Sequence, residues 1–208
     1  MVFVGYRGLH ARRNFITFAG LRVFSTDIAM AIRKVANLGH PVLRRVADPI
    51  PPDRIKTPEI QRLIDDMFDT MIEYSGVGLA APQVHQSIRL LVTEEIPDPD
   101  SDDGFLAERS AVINPEITFL TDQQIAFYEG CLSIPDFRGK VPRIKRIRLK
   151  GLDRNGKVID REVEGFPAVV YQHELDHLNG VVFLDRMPDL KSLTYLSEYD
   201  RYVVGQPD

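Results

Sequence analysis

The stretch "QHELDH" at residues 172–177 combines residue types and a spacing that suit metal-dependent hydrolysis. His173 and His177 are four residues apart, so in a helix both imidazoles would lie on one face and could hold a single cation. Glu174 follows His173 directly, about 100° further around the helix, where a side chain can overhang a cation without binding it. The stretch therefore predicts two metal ligands beside a carboxylate that could move protons.

Hydrolysis at a single metal ion requires a third protein ligand, because three side chains hold the cation and a fourth position is left to water. The cation lowers the pKa of that water, and a carboxylate passes its proton to the leaving group. No histidine follows His177, which excludes a three-histidine site of the H-E-x-x-H-x-x-G-x-x-H kind. Glu198 downstream would complete a zinc endopeptidase of the H-E-x-x-H type. Cys131 upstream would supply a thiolate, a strong ligand for soft metals, and the residue types leave both candidates open.

A third stretch, "GVGLAAPQV" at residues 76–84, adds groups that suit a reacting carbonyl. Its glycines expose backbone to a ligand, and Gln83 offers an amide donor that could polarise a carbonyl oxygen. The alternative interpretation is a helix end with small packing residues. Cys131 stands in "EGCLSIP", and the ordered occurrence of all three stretches in one chain favours the hydrolytic interpretation.

The stretches "GVGLAAPQ", "EGCLSIPDFRG" and "QHELDHLNG", in this order and spacing, resemble the three signature motifs of the peptide deformylase family. The resemblance extends from about Met30 to Met187 and includes "LGHPVLRRVA" near the start. It implies a compact α+β fold in which antiparallel or mixed sheets wrap around a central helix that bears the histidines. It also implies removal of the N-formyl group from the starting methionine of new polypeptides, with release of formate. A non-catalytic binder of formylated N-termini is an alternative, against which the intact Glu174 argues.

The resemblance further implies a role for each matching residue. The metal would be held by Cys131, His173 and His177, with Glu174 as general acid and base. The oxyanion would be stabilised by Gln83 and the backbone N–H of Leu132. The substrate backbone would add as a strand along Gly76, Val77, Gly78 and Gly130. Its methionine side chain would enter a pocket lined by Val77, Phe127, Glu129, Phe166 and Val169. Arg138 would brace the cysteine loop through Glu129.

The expected cofactor is one divalent metal ion, and the resemblance favours Fe²⁺, with Zn²⁺, Ni²⁺ or Co²⁺ able to substitute. The expected partners are formyl-methionyl nascent peptides, with the ribosome exit region as a further candidate.

The formal net charge is −4, and no dense basic patch with aromatics occurs, so direct nucleic-acid recognition is not expected. No apolar run is long enough to predict a membrane span. The basic residues from Arg143 to Lys150 alternate with apolar ones, which predicts the exposed face of a strand; a ribosome-facing patch is the alternative.

Residues 1–29 differ in composition from the remainder of the chain, since they contain four arginines and a single acid, Asp27. This composition is typical of an organellar transit peptide, and a start codon placed too early, with Met30 as the true first residue, is the alternative. We therefore predict an N-terminal extension at 1–29 and a single catalytic domain at 30–208. Leu132 after the cysteine fits bacterial-type members and favours a bacterial cytoplasm. A transit peptide would instead indicate a mitochondrion or plastid.

Several secondary-structure elements can be predicted from local signals. Thr57-Pro58-Glu59 predicts the start of a helix with a capping hydroxyl, followed by an apolar stripe of Ile60, Leu63, Ile64, Met67, Met71 and Ile72. Asn155-Gly156 between two alternating stretches predicts a hairpin. Pro167 and Gly180 bound a helix that carries the histidines. Residues 113–120 and 125–134 are predicted as extended, 93–105 as an exposed acidic loop, and 190–202 as an amphipathic helix.

Overall fold

The computed structural model describes residues 31–95 and 108–204, so the predicted extension at 1–29 lies outside the described residues. The described part contains three α-helices: α1 (Pro58–Glu73), α2 (Phe166–Leu178) and α3 (Leu196–Tyr202). The strands are β1 (Gly78–Ala80), β2 (Leu90–Glu95), β3 (Glu108–Phe119), β4 (Gln124–Cys131), β5 (Ile134–Ile144), β6 (Arg146–Leu152), β7 (Val158–Glu164) and β8 (Thr194–Tyr195).

The strands form two sheets in which every pair of neighbouring strands is antiparallel. The larger sheet has the order β1-β2-β3-β6-β7, and the smaller one has the order β4-β5-β8. Pairing of Leu91 with Val112 sets the register of β2 against β3. The expectation of an α+β fold is confirmed, and the sheets are antiparallel rather than mixed.

The larger sheet is covered by a helix on each face, as the alternation of side chains along its strands requires. Leu90 and Val92 of β2 belong to the same apolar cluster as α1, whereas Leu91 between them belongs to the cluster formed with α2. The smaller sheet covers another side of α2, since Ile125 and Phe127 of β4 share an apolar cluster with Val169 and Val170 of the helix. Helix α2 therefore lies between the two sheets, which explains why it is buried on almost its whole circumference.

Helix α1 agrees with the predicted position but differs in two details. Proline at the first helical turn and Glu59 after it are present as predicted. The Thr57 hydroxyl, however, donates to the carbonyl of Arg54 and does not cap the helix. The predicted stripe residue Ile72 is 40% exposed, because it lies at the edge of the face that contacts the sheet.

The predicted hairpin at Asn155-Gly156 is confirmed as the connection between β6 and β7. Gly156 has a φ of +77°, a conformation that glycine adopts at little cost. Asp153 reinforces the turn, since its Oδ1 accepts from the backbone N–H of Asn155 and of Lys157. Local residues thus shape the turn, and Gln61 of α1 also holds it by hydrogen bonds to Arg154.

Two predicted segments are corrected by the structure. Residues 93–95 of the predicted acidic loop belong to β2, where they pair with β3, and residues 96–105 lie outside the described residues. The predicted helix at 190–202 begins only at Leu196, because Thr194 and Tyr195 pair with β5 as the edge strand β8. Within the described ranges, no helix is both long and apolar enough to cross a membrane.

Candidate metal and hydrolytic site

Cys131 is the last residue of β4 and stands at the start of a tight turn. The turn residues 132–133 join β4 to β5, and Cys131 pairs with Ile134 across them. The register shifts between Glu129 and Cys131, and a shift of this kind re-aims the side chain that follows it. The thiol thereby faces α2, with Sγ 3.2 Å from His177 Nε2.

His173 and His177 project from one face of α2 toward this cysteine. Their ring centroids are 5.0 Å apart, which agrees with the predicted helical spacing. One ligand atom from each of Cys131, His173 and His177 lies within 4.8 Å of the other two, and all three residues are buried. Of the two third-ligand candidates, the structure brings Cys131 to the histidines.

The three side chains also fit a metal ion in their chemistry. His173 Nε2 is buried and has no hydrogen-bond partner in the described part of the chain, although Nδ1 of the same ring is bound to Glu129. Burial raises the pKa of the Cys131 thiol, but His177 and His173 lower that pKa well below its usual range. The thiolate is the form that binds metals, and two imidazoles with one thiolate suit a divalent transition metal.

Glu129 binds the outer nitrogen of His173, with Oε2 2.7 Å from Nδ1. Arg143 approaches the same carboxylate with Nε and Nη2, at 2.7 and 3.0 Å. Burial acts to raise the pKa of Glu129, but the hydrogen bonds from His173 and Arg143 lower it to about 2, so the group is ionised. A carboxylate in this place fixes the ring orientation and the tautomer of a metal-binding histidine. The resemblance implied that Glu129 lines the methionine pocket. In the structure its carboxylate faces His173 and Arg143.

Arg143 corrects the prediction that the basic run from Arg143 to Lys150 forms an exposed strand face. Its side chain is 5% exposed and also donates from Nη1 to Asp176 at 2.5 Å. Arg148 and Lys150 in the same run are about half exposed, as predicted. The run is thus divided between β5, whose Arg143 faces α2, and β6, whose basic side chains face outward.

Glu174 is fully buried beside the three candidate ligands and lies against the backbone of β1. A Cβ placed on Gly78 would come within 2.5 Å of Glu174 Oε1 and 2.9 Å of its Cγ. Only glycine at position 78 therefore leaves room for the carboxylate in this position. Gly78, expected on the basis of the resemblance to pair with substrate, also sets the position of Glu174.

Gln83 and the turn after Cys131 bring possible hydrogen-bond donors to the same place. The Gln83 Oε1 accepts from the backbone N–H of Ala80 at 2.8 Å, which orients the amide. Its Nε2 consequently points to Cys131 Sγ at 3.6 Å and to Ser133 Oγ at 3.3 Å. Leu132 follows the cysteine in the turn at 132–133, outside the strand ladder. Both groups predicted to bind an oxyanion thus lie next to the candidate metal ligands.

Two edge strands flank the site, one from each sheet. β1, with Gly78, is the first strand of the larger sheet, and β4, with Gly130, is the first strand of the smaller one. An edge strand offers backbone groups to an added strand. Gly76 and Val77 lead directly into β1. The predicted backbone-binding residues therefore stand on the two edges that an extended peptide would use.

Four residues predicted to line a methionine pocket pack together in one small apolar cluster. Val77 and Val169 are buried in it, and the rings of Phe127 and Phe166 meet edge to face with centroids 5.8 Å apart. The cluster is built from the start of β1, from β4 and from α2. Its other members, which were not predicted to line the pocket, are Ile125 and Val170.

Arg138 was expected to brace the cysteine loop through Glu129, and Glu198 was a candidate for the third metal ligand. Neither side chain makes that contact in the described part of the chain. Arg138 does not bind Glu129; its Nη1 donates to the carbonyl of Phe137, and its guanidinium lies so close to Gly130 that a Cβ there would overlap it. It contacts the cysteine loop by packing. Glu198 is on α3, where its half-exposed side chain pairs with Arg201 at 4.0 Å.

Asp176, Arg186 and the inward position of Arg143 were not predicted from the sequence. Asp176 binds both Arg143 and Arg186 and is 5% exposed. The position of Asp176 between two histidines of a largely apolar helix indicates a buried acid, and a buried acid requires a cationic partner. The sequence does not say which of many arginines is that partner, since the pairing depends on the fold.

Comparison with known proteins gives consistent matches over most of the chain. The family model described as polypeptide deformylase matches residues 32–193. The peptide deformylase of Leptospira biflexa is 40% identical over 172 residues, which cover 82% of this chain and 96% of that protein. The one from Psychrobacter cryohalolentis is 44% identical over 162 residues, covering 78% and 83%.

Solved structures agree with the sequence matches. The class I type b peptide deformylase from Acinetobacter baumannii with bound Met-Ala-Ser superposes with a TM-score of 0.70 at 36% identity, covering 76% of this chain and 99% of that one. The Thermotoga maritima peptide deformylase superposes with a TM-score of 0.66 at 39% identity, with the same coverage of both chains. The chain therefore belongs to the polypeptide deformylase family, metal-dependent hydrolases that remove the N-formyl group from formyl-methionyl nascent peptides.

Proposed function

We propose that this chain hydrolyses the formyl group of formyl-methionyl peptides at the centre formed by Cys131, His173 and His177. The observation that carries the proposal is the meeting of three buried ligand atoms within 4.8 Å of one another, with the buried Glu174 beside them. A divalent cation held by the three ligands would act as a Lewis acid and lower the pKa of water toward neutrality.

In the proposed reaction, Glu174 moves the proton and other residues bind the developing charge. Glu174 takes a proton from the attacking water and later gives it to the departing amine, so that formate and a free methionyl amine are the products. The Gln83 amide and the Leu132 N–H donate to the oxygen of the formyl carbon as it becomes negative. The hydrogen bond between Gln83 and Ala80 supports this role, since it holds the amide in one orientation before the substrate arrives.

The same proposal assigns substrate binding to the two strand edges and the apolar cluster. The peptide backbone would pair with Gly76, Val77 and Gly78 on one side and with Gly130 on the other. The methionine side chain would contact the cluster of Val77, Phe127, Phe166 and Val169, to which Ile125 and Val170 are added. We leave Glu129 out of this set, because both of its oxygens are bound to Arg143 and one also to His173.

Formate release from a formyl-Met peptide is the direct test of this function. We expect stoichiometric release of formate and of free methionyl amine by protein that contains one metal ion per chain. Cleavage of internal peptide bonds in the same substrate would favour the endopeptidase alternative. Binding without turnover would favour a non-catalytic binder.

We expect the identity of the metal to change the turnover of formyl-Met peptide strongly. Two imidazoles and one thiolate bind Zn²⁺ more tightly than Fe²⁺, but Zn²⁺ usually keeps four ligands, and tight binding does not imply fast turnover. We propose Fe²⁺ as the active ion and expect Ni²⁺ or Co²⁺ to substitute well. The measurement is turnover by apo-protein reconstituted anaerobically with each ion. Equal rates with Zn²⁺ and Fe²⁺ would refute the choice of metal.

Gly78→Ala is expected to lower turnover by about 100-fold while metal content stays unchanged. The new methyl group must displace the Glu174 carboxylate, which lies 2.5 Å from its ideal position, and a shift of about 1 Å in a catalytic group can cost this much. Gly151→Ala is the matched control, because its Cβ would meet Val112 Cγ1 at 2.7 Å in the larger sheet. Both variants are measured for formate release per folded molecule. An equal loss in both would indicate a general packing defect.

We propose that residues 30–208 form a single catalytic domain and that the protein acts in a bacterial cytoplasm on nascent peptides. The family match over residues 32–193 and the bacterial origin of its relatives support this proposal. A mitochondrial or plastid location is the alternative if residues 1–29 are a transit peptide. The ribosome exit region remains a candidate partner, and no direct contact with nucleic acid or membrane is expected.

A further inference from the structure

Asp176 lies between the two histidines of α2 but has no part in the hydrolysis proposed above. It is buried, and its two oxygens accept hydrogen bonds from arginines on different elements. Arg143 Nη1 lies 2.5 Å from Oδ2, while Arg186 donates from Nε to Oδ2 at 3.1 Å and from Nη2 to Oδ1 at 2.7 Å. Two such charge-assisted contacts fix the position of the carboxylate.

Arg143 connects this carboxylate to the strand that carries the cysteine. Its Nε and Nη2 bind the two oxygens of Glu129, and Glu129 Oε2 lies 2.7 Å from His173 Nδ1. Glu129 stands two residues before Cys131 on β4, and Asp176 stands next to His177 on α2. One guanidinium therefore joins the two elements that supply all three candidate ligands. We call the chain Glu129–Arg143–Asp176–Arg186 the ionic clamp.

A short 3-10 helix, Phe183–Arg186, supports His173 in two ways. The Phe183 ring stacks on the His173 ring, with centroids 6.4 Å apart and planes 20° from parallel. Arg186 at the other end of the same helix holds Asp176. Asp185 accepts from the backbone N–H of Val182 at 2.9 Å and forms an ion pair with Arg44, which ties this helix to the rest of the fold.

We infer that Asp176 and Arg186 are positioning residues of the metal centre, which act through Arg143 and Glu129 to hold His173 at its place beside Cys131. The inference rests on the proposed metal site. A ligand that cannot rotate away stays within reach of the cation, so the clamp should slow metal release as well as strengthen binding. Loss of such outer partners typically costs about 10- to 100-fold in metal affinity.

The test compares Asp176→Asn and Arg186→Gln with the wild-type chain in metal release and in the visible spectrum. Each protein is loaded with Ni²⁺, and release to an excess of chelator is followed; the absorption bands of the Co²⁺-loaded forms report the ligand geometry. The control is Arg148→Gln, which breaks an Arg–Asp pair of similar geometry on the exposed hairpin, where Arg148 Nε lies 2.6 Å from Asp160 Oδ1. All measurements are made below the thermal unfolding transition.

We expect Asp176→Asn to release Ni²⁺ about 10- to 100-fold faster than wild type and to shift the Co²⁺ bands. Arg186→Gln is expected to change both quantities in the same direction but less, because Arg143 still holds Asp176. Arg148→Gln should match wild type. If Asp176→Asn does not fold, Arg186→Gln decides, since half of that side chain is exposed.

Wild-type release rates and Co²⁺ bands in the clamp variants would overturn the inference, even if their thermal stability fell, because the clamp would then serve folding alone. Equally fast release from Arg148→Gln would also overturn it. A wild-type chain that binds neither Ni²⁺ nor Co²⁺ would contradict the proposed metal site itself. That failure is distinguishable, because it appears before any variant is compared.

Discussion

Glu174→Gln is expected to retain one metal ion per chain and to lose formyl-Met peptide turnover by about 10²- to 10⁴-fold, the usual contribution of a general acid and base. The amide has nearly the same shape as the carboxylate, so it fits the same buried space against Gly78. It cannot accept a proton from water. The three candidate ligands do not include Glu174, so metal binding should survive the change.

The measurement for this variant pairs formate release with metal content of the same preparation. Because Gln also preserves the volume of the side chain, packing loss cannot explain a large drop in turnover. Full turnover in Glu174→Gln would remove the residue from the proposed proton transfer. Loss of the metal ion in step with activity would instead assign Glu174 to the ligand set.

Cys131→Ala is expected to abolish stoichiometric metal binding, and with it formate release. The substitution removes one of three ligands and leaves two imidazoles to hold the cation. We expect an apparent affinity lower by more than about 100-fold, above the usual cost of losing an outer partner. Metal content after dialysis against a weak chelator is the readout.

Glu198→Ala is the matched experiment for the third ligand. Its carboxylate is half exposed on α3 and pairs only loosely with Arg201, an arrangement that contributes about 0–1 kcal/mol. We expect wild-type metal content and turnover in this variant. The reverse pattern, with Glu198→Ala losing the metal and Cys131→Ala keeping it, would support an endopeptidase-like centre.

Features that depend on neighbours in the chain could be predicted from the sequence. The spacing of His173 and His177 places both rings on one side of any helix that contains them, since 3.6 residues complete a turn. Asn155 and Gly156 determine their hairpin through backbone conformation and the nearby Asp153. The start of α1 at Pro58 follows from the fixed φ of proline.

Edges and faces of these elements were predicted less well. The alternation of basic and apolar residues from Arg143 onward reveals that one strand face is polar, but not whether another element covers that face. β5 is covered by α2, and Arg143 is consequently buried in an ion-paired network. Thr194 and Tyr195 similarly joined a sheet instead of a helix, because an unpaired strand edge of β5 was available to them.

The sequence by itself determined the pair of helical histidines, the adjacent glutamate and the presence of three motifs whose resemblance named a family. The residue types alone left the third ligand open between Cys131 and Glu198, which stand 42 residues before and 25 residues after His173, and only the family resemblance implied Cys131. Only the tertiary structure brought Cys131 Sγ to 3.2 Å from His177 Nε2 and joined Glu129, Arg143 and Asp176 behind the histidines. The physical reason is that helix periodicity and turn geometry act over a few residues, whereas contacts between distant residues depend on how two sheets pack around α2.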